Sequence, residues 1–253
     1  MGIETFKEKC GYEIDKMWLP RVTAITSILN KPNLYRYFAD SPNFPAAQRR
    51  LESAAEWGSL THEVIERMLK GEIVKPDAKI IPSVKAFQQW QSKNTMRVFN
   101  PDEDIEKLVV DTDNMFAGTL DVVAEINGTF GVVDLKTSTG IWEEHYLQTA
   151  AYLLAFNKTV KMKGKCTTRW ILRIDQYEEC LGCKAKRRGK EGVLRVTGGK
   201  RICNHQWSEK KGMVEFKELK GYEEDIKAFL AAKELWEWYN RKFIRRIPNY
   251  AKS

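Results

Sequence analysis

The chain has 253 residues, of which 43% are hydrophobic and 30% are charged, a balance typical of a folded globular protein and not of a disordered one. No stretch approaches the roughly 20 apolar residues of a membrane helix, and the N-terminus lacks the apolar segment of a signal peptide. Phe6 stands where a myristoylation signal needs Ser or Thr. We therefore expect an intracellular protein without a membrane partner, acting in the cytoplasm of its own cell or, for a viral protein, of the host. The formal net charge of +8 favours a polyanionic partner.

The first predicted elements are mostly helices. The β-branched segment 18–30 fits either a short strand or the start of a helix. The spacing of apolar residues then predicts one helix over 46–57 and another that ends at residue 70, where Gly71 would cap the C-terminus. A third predicted helix follows Pro82 and carries Val84, Phe87 and Trp90 on one face.

Residues 106–136 predict strands, with Asn127-Gly128 as the two-residue turn of a hairpin. Facing residues of this hairpin have numbers that sum to 255, so Asp121 and Asp134 become cross-strand neighbours with Cβ atoms roughly 5 Å apart. Lys136 shares the face of Asp134 because side chains alternate along a strand. The opposite face is predicted to be core and consists of Leu120, Val122, Val133 and Leu135.

The paired carboxylates predict a cation site. Asp121 and Asp134 would repel each other without a cation between them, and hard oxygen ligands suit Mg²⁺ or Mn²⁺. Lys136 could then orient or deprotonate a water molecule at this site. The alternative is a surface hairpin whose aspartate and lysine side chains form ordinary solvated pairs.

Two predicted helices carry polar side chains that could join this site. His62 points toward the core side of its helix, as either a metal ligand or a buried core histidine, and Glu66 would lie at the edge of the site or in solvent. In the helix predicted over 142–156, His145, Gln148 and Tyr152 form a polar stripe. This stripe either faces the site or is a partly exposed helix edge.

The rest of the chain predicts strands over 166–175 and 213–219 and a last helix over 222–241. The apolar positions of that helix are Ile226, Phe229, Leu230, Trp236 and Tyr239. Helices around a small mixed sheet define an α/β fold. Its core domain would comprise residues 1–177 and 212–253, with residues 178–211 as an insertion.

The insertion contains four candidate metal ligands. Cys180-x-x-Cys183 has the spacing of a metal knuckle, and Cys203-x-His205 follows, so the four side chains suit tetrahedral Zn²⁺. The loop between them could contact DNA phosphates without reading sequence, through Lys184, Lys186, Arg187, Arg188, Lys190, Arg195, Lys200 and Arg201. The alternative is a disordered basic hairpin with free thiols.

Four motifs in this order resemble those of the PD-(D/E)XK nuclease superfamily, specifically its RecB-like branch. That branch includes the CRISPR-associated adaptation exonucleases and the mitochondrial genome maintenance exonuclease. The motifs are Gly58-x-x-x-His62, Gly118-x-x-Asp121, Asp134-x-Lys136 and Gln148-x-x-x-Tyr152. The resemblance covers residues 58–152, and similarity elsewhere in the chain is diffuse.

The resemblance implies a restriction-endonuclease-like core, in which helices flank a central mixed sheet. It implies that His62, Asp121, Asp134 and the Leu135 carbonyl hold Mg²⁺ or Mn²⁺. Lys136 would be the catalytic lysine, and Gln148 and Tyr152 would position DNA or that lysine. Asp134 stands where glutamate is commoner in the family, which shortens this ligand by one methylene group.

The CRISPR-associated relatives hold an iron–sulfur cluster with four cysteines, which offers an alternative to zinc. Such a cluster would combine Cys180, Cys183 and Cys203 with Cys166 or Cys10, although no third cysteine closely follows the C-x-x-C pair.

The function that we expect is hydrolysis of DNA phosphodiester bonds by a metal-dependent exonuclease that prefers single-stranded ends. The requirement for an end is implied by the family alone. The alternatives are a structure-specific endonuclease of recombination or CRISPR adaptation, and a non-catalytic zinc-containing DNA-binding protein. Association into a homo-oligomer stays open.

Overall fold

The computed structural model describes residues 1–159, 166–188 and 195–250. Within these ranges the strands are β1 Gly11–Ile14, β2 Met17–Pro20, β3 Met96–Arg97, β4 Ile105–Asp111, β5 Phe116–Ile126, β6 Thr129–Lys136, β7 Thr168–Glu179, β8 Lys186–Arg188, β9 Arg195–Thr197 and β10 Lys211–Glu218. The helices are α1 Ile3–Cys10, α2 Val22–Thr26, α3 Pro32–Ala39, α4 Phe44–Leu69, α5 Ile81–Gln91, α6 Pro101–Asp104, α7 Glu143–Thr159, α8 Tyr222–Tyr239 and α9 Arg241–Ile244. A short 3₁₀ turn, Ala78–Ile80, precedes α5.

One mixed sheet organises the fold. Its strand order is β3-β5-β6-β7-β8-β9, with β4 also paired to β5 and β10 also paired to β7, while β1 and β2 form a separate hairpin. The pairs are antiparallel except for β6 and β7, which run parallel and are connected through α7. The C-terminal ends of β6 and β7 therefore meet at one edge of the sheet.

Helices cover both faces of the sheet, as the sequence predicts for an α/β fold. On one face, α7 and α8 pack with α2 over an apolar cluster that includes Phe116, Val123 and Phe156. On the other face, α5 and α4 contribute Phe87 and Ile65 to a second cluster. No helix in the described ranges is long and apolar enough to cross a membrane.

The hairpin of β5 and β6 has the predicted turn and register. Asn127 and Gly128 adopt positive φ values of 51° and 84°, as a type I′ turn requires. The paired residues run from Ile126↔Thr129 to Val122↔Val133, and each pair sums to 255.

Beyond Val122 the strands become irregular, and Leu120 is buried as predicted but on the other face of the sheet. Leu120 packs in the cluster beneath α7, whereas Val122 packs in the cluster beneath α5. Simple alternation would put both on one face. The ladder between β4 and β5 pairs Ile105 with Val122 and Lys107 with Leu120 but skips Glu106, which has a left-handed φ of 54°. The register is the same on both sides of this gap, so no residue is inserted, and the left-handed backbone at Glu106 marks where the regular ladder is interrupted.

Helix α4 also differs from the prediction. The sequence pattern predicts two helices, but Phe44–Leu69 is one continuous helix of 26 residues. Gly71 ends it as predicted. The Gly71 N–H donates to the Met68 carbonyl and the Glu72 N–H donates to the Arg67 carbonyl, which is the Schellman pattern. The segment over 18–30 contains both predicted alternatives, strand β2 followed by helix α2.

The last helix is shorter than predicted, because α8 ends at Tyr239 and α9 follows after Asn240. Phe229 and Trp236 are buried as predicted, but Tyr239 is 64% exposed. The predicted apolar face therefore stops at Trp236.

Candidate functional site

Three elements bring the predicted carboxylate, histidine and lysine side chains together at the C-terminal end of β6. His62 comes from α4, Asp121 from β5, and Asp134 and Lys136 from β6. Lys136 Nζ lies 2.6 Å from Asp134 Oδ2. The Leu135 N–H donates to Asp121 Oδ2 at 2.6 Å, which fixes the Asp121 carboxylate over the neighbouring strand.

Two motif glycines allow these elements to approach each other. A Cβ atom at Gly58 would lie 2.7 Å from Thr137 Oγ1, so the glycine lets α4 come close to the chain that follows Lys136. A Cβ atom at Gly118 would lie 2.5 Å from the Tyr152 ring. Both contacts are closer than side chains tolerate. Steric crowding therefore favours glycine at both positions, which the spacing of the motifs alone does not show.

Asp134 is the least solvated group of the site. It is 1% exposed, and its Oδ1 atom has no hydrogen-bond partner among the described residues. Burial raises the pKa of Asp134 to about 6, although the Lys136 ammonium opposes this shift. Burial likewise raises the pKa of Asp121 to about 6. A buried carboxylate oxygen without a donor is an unfavourable arrangement that a bound cation would relieve.

The protonation state of His62 suits a metal ligand, and that of Lys136 suits a permanently charged cation. Burial and the nearby Lys136 ammonium lower the pKa of His62 to about 4, so the imidazole is neutral at pH 7 and can coordinate a metal. Burial opposes the charge of Lys136, but the Asp134 and Asp121 carboxylates outweigh it and raise the lysine pKa. Lys136 is therefore suited to orienting a water molecule and neutralising charge, and not to accepting a proton.

Two glutamates extend the site beyond the residues predicted to form it. Burial, followed by the neighbouring Glu106 and Asp121 carboxylates, raises the pKa of Glu66 to about 7. The Glu66 and Glu106 carboxyl groups are close enough to influence each other, and burial raises the pKa of Glu106 as well. With His62 they line an open cavity of about 420 Å³, together with Ala55, Gly58, Ser59, Glu63 and Thr137. The sequence pointed to Glu66 as an accessory residue, but it contained no indication of Glu106.

The polar stripe of α7 lies on its buried side. Gln148 Nε2 donates to the Tyr152 hydroxyl at 3.0 Å, and both Tyr152 and His145 are buried. Burial, followed by the Asp134 and Asp121 carboxylates, raises the pKa of Tyr152, so its phenol is protonated and next to the carboxylate pair. His145 instead caps its own helix, because its Nδ1 accepts from the Trp142 N–H at 3.2 Å.

The raised pKa of Asp134 predicts a pH-dependent stability in the metal-free protein. Its folded pKa of about 6 exceeds the ordinary 3.8, so its charge destabilises the fold increasingly as pH rises from 3.8 to 6 and fully above that. We expect Asp134→Asn to raise the free energy of unfolding by on the order of 2 kcal/mol at pH 8 in EDTA, which raises Tm by several degrees. The gain should vanish near pH 3.5. Calorimetry measures it, and equal Tm values at pH 8 would contradict it.

The Cys/His group of the insertion also converges. Ligand atoms of Cys180, Cys183, Cys203 and His205 all lie within 4.8 Å of one another. Cys180 Sγ is 3.9 Å from Cys203 Sγ, and Cys183 Sγ is 3.4 Å from His205 Nδ1. The backbone N–H of Cys183 donates to Cys180 Sγ, which lowers the pKa of that thiol to about 6. A Cys₃His group of this size could bind a metal such as zinc.

The two other cysteines are not part of that group. Cys166 is buried in the core cluster beneath α7, and Asn157 binds both its N–H and its carbonyl. Cys10 is half-buried in the N-terminal helix. In the described part of the chain, the fourth member of the Cys/His group is therefore a histidine. The iron–sulfur alternative would instead need Cys10 or Cys166 at that position.

The basic side chains of the insertion differ in their availability. Arg187 pairs with Glu178 at 2.7 Å and Arg188 with Asp175 at 2.8 Å, while Lys184 lies 3.5 Å from Glu179. Lys186 lies over the Tyr177 ring. Lys200 and Arg201 are exposed. Arg195 begins β9, and Lys190 lies outside the described residues. Intramolecular pairing thus occupies part of the predicted phosphate-binding set.

A buried ionic chain connects the insertion with the site. Asp175 is fully buried, and its Oδ2 accepts from Arg188 Nε at 2.8 Å and from Arg173 Nη1 at 3.1 Å. Arg173 Nη1 also donates to the Ser138 carbonyl at 3.0 Å. Arg173 is the β7 partner of Lys136 in the parallel ladder. The insertion therefore leaves the sheet at the same edge as the carboxylates.

A scan against protein-family models and a search of curated proteins gave no match to this chain. The class of protein must therefore be inferred from the site itself, which combines two carboxylates, a neutral histidine and a paired lysine at one sheet edge.

Proposed function

We propose that the protein is a metal-dependent deoxyribonuclease of the PD-(D/E)XK type. The observation that carries this proposal is the convergence of His62, Asp121, Asp134 and Lys136, with Asp134 Oδ1 buried and lacking a hydrogen-bond donor among the described residues. The four side chains come from three separate elements, which a surface hairpin with solvated charge pairs would not bring together. The nuclease domain would comprise residues 1–177 and 212–253.

The donor set fits a hard divalent cation. His62, Asp121, Asp134 and the Leu135 carbonyl would hold Mg²⁺ or Mn²⁺, with Glu66 and Glu106 at the rim of the cavity. When bound, such an ion lowers the pKa of a coordinated water and polarises the phosphodiester. Lys136, held at 2.6 Å from Asp134, would orient the attacking water and offset the developing negative charge. Tyr152 and Gln148 would position Lys136 or the DNA backbone.

The proposed reaction is hydrolysis at single-stranded DNA ends. It can be tested with end-labelled linear and circular substrates, single- and double-stranded, in Mg²⁺, Mn²⁺ or EDTA. An exonuclease shortens linear strands and leaves circles intact, whereas cleavage of circles would favour the endonuclease alternative. Binding without cleavage under every metal condition would instead favour the non-catalytic zinc-containing DNA-binding protein.

His62 provides a separate test of the metal site. His62→Ala removes a neutral imidazole with a pKa of about 4, so we expect a roughly tenfold or larger rise in the Mn²⁺ concentration needed for half-maximal cleavage. Mn²⁺ titrations of the variant and the wild type measure this shift. His145→Ala is the matched control, because His145 is also buried with a lowered pKa but caps α7. Superimposable titrations of His62→Ala and wild type would make His62 a core residue only.

A further inference from the structure

The C-terminal end of α8 exposes an apolar face. Leu235, Trp238 and Tyr239 occupy positions i, i+3 and i+4, so they share one side of the helix. Their exposed fractions are 49%, 56% and 64%. Trp238 and Tyr239 form an edge-to-face pair with ring centroids 5.2 Å apart. Large exposed aromatic rings on a stable helix indicate a binding surface more often than scattered single residues do.

Four basic residues closely follow these rings in the chain. Arg241, Lys242, Arg245 and Arg246 follow within a few residues and are all exposed. Between residues 238 and 250 the sequence contains no Asp or Glu. Arg241 stacks over the Trp238 ring, with Cζ 4.5 Å from the ring centroid. No ion pair within the described ranges uses any of the four cations. We call this surface the α8–α9 patch, formed by Trp238, Tyr239, Arg241, Lys242, Arg245 and Arg246.

The patch is held in place by the core behind it. Phe243 stacks on Phe6 with centroids 4.5 Å apart, and Trp236 packs on the same ring at 5.9 Å. Asn240 Nδ2 donates to the Trp236 carbonyl at 2.8 Å and closes the end of α8. Ile247 is buried. Because these contacts fix the backbone, the exposed rings and cations form a preorganised surface that loses little entropy when a ligand binds.

We propose that the α8–α9 patch binds single-stranded nucleic acid, whose bases stack on Trp238 and Tyr239 and whose phosphates pair with the four cations. Four exposed cations that make no ion pair within the described ranges complement a polyanion. Exposed rings add affinity only for a ligand with accessible flat faces, and unpaired bases have them while duplex bases and acidic polypeptides do not. The patch shares no residue with the carboxylate cavity, and binding here does not depend on the proposed cleavage.

The aromatic part of the proposal is tested by binding a fluorescent oligothymidine in EDTA, where no cleavage can occur. Each stacked base contributes enough binding free energy that Trp238→Ala/Tyr239→Ala should raise Kd by about tenfold or more. The matched control is Tyr35→Ala/Phe44→Ala, which removes two rings that are 64% and 63% exposed on α3 and α4. This control should bind within about twofold of wild type. Equal losses in the two variants, or no loss in either, would overturn the proposal.

The charge part is tested by the salt dependence of the same binding. Arg245→Ala/Arg246→Ala should flatten the slope of log K against log salt by about 1.4, since each single-strand phosphate contact contributes about 0.7. Arg36→Ala/Arg49→Ala removes two exposed arginines elsewhere and should leave the slope unchanged. An abasic oligomer, a duplex or polyglutamate bound as tightly as oligothymidine would show that the rings do not recognise bases and would refute the assignment.

Because these measurements need neither a divalent cation nor turnover, their outcome is independent of the nuclease proposal. A protein that binds oligothymidine through the patch but never cleaves it would keep this inference and lose the proposed function. If the protein cleaves DNA but the patch variants keep the wild-type Kd, the proposed function stands and this inference is lost.

Discussion

Lys136→Ala and Asp134→Ala are expected to reduce cleavage at least a thousandfold, while DNA binding stays within a few-fold of wild type. Asp134 is buried and has one oxygen without a hydrogen bond in the described structure, and its other oxygen is paired with Lys136 at 2.6 Å. If the proposed chemistry is correct, each substitution removes a group that acts in the transition state, and such groups contribute several kcal/mol to the barrier. Single-turnover cleavage at saturating DNA, with binding measured separately in Ca²⁺, gives both quantities.

The matched control for this experiment is a second aspartate–lysine pair, which joins β4 of the same sheet to α7. Asp111 is fully buried and Lys158 Nζ lies 2.8 Å from its Oδ1, away from the cavity. Lys158→Ala therefore disrupts a comparable ion pair without touching the site, and it should retain nearly full cleavage. Wild-type turnover in either Lys136→Ala or Asp134→Ala, with contaminating nucleases excluded, would contradict the assignment of these residues.

The sequence was sufficient for the hairpin because its determinants are local. Asn127-Gly128 accepts the positive φ values of the turn, and the turn then sets the register of every pair up to Val122↔Val133. Asp121 lies one residue beyond the last of these pairs, and its carboxylate accepts from the Leu135 N–H of the neighbouring strand. The same local reasoning predicted the cap at Gly71.

Glu106 could not be predicted, because its position depends on a local left-handed backbone conformation. Its left-handed φ of 54° interrupts the ladder with β5 and sets it beside Glu66 from α4. Neither this conformation nor the approach of α4 is encoded in the alternation of apolar and polar residues. Gly58 lies inside the continuous α4, where the absence of a side chain lets the helix approach Thr137.

The charge pairs of the insertion could not be predicted from the sequence either. Its basic residues formed one predicted phosphate-binding set, yet Arg187 and Arg188 pair with Glu178 and Asp175 of β7. Pairing across strands depends on which backbones lie together, and composition does not determine this. The convergence of the cysteines and His205 could be predicted, because metal-ligand spacing is a local property of each knuckle.

Cys183→Ser is expected to remove a structural zinc ion from the insertion. Wild-type protein purified without chelator should contain about one zinc per chain and be colourless, because zinc has no visible absorption and a Cys₃His group closes its coordination. The loss of one ligand from a four-ligand site should lower the bound zinc below about 0.1 per chain. Cys10→Ser is the matched control, because Cys10 is a half-buried thiol outside the group and its loss should leave the zinc content unchanged.

Loss of the ion should loosen the insertion. A backbone hydrogen bond from the Cys180 N–H to the Ala185 carbonyl closes the first knuckle, and one from the Leu181 N–H to the Gln206 carbonyl joins the two arms. Ile202 is 94% exposed and Leu181 58%, so little apolar burial offsets the entropy of ordering. Trypsin should cut Cys183→Ser at Lys200 or Arg201 at least tenfold faster than it cuts Cys10→Ser. Loosening the insertion displaces its basic side chains, so DNA affinity should fall. The cleavage rate at saturating DNA should change less, because Asp175 keeps its ion pair with Arg173 when Arg188 moves away. Iron with visible absorption, or neither metal in the wild type, would refute the zinc assignment, and unchanged proteolysis of zinc-free Cys183→Ser would refute its structural role.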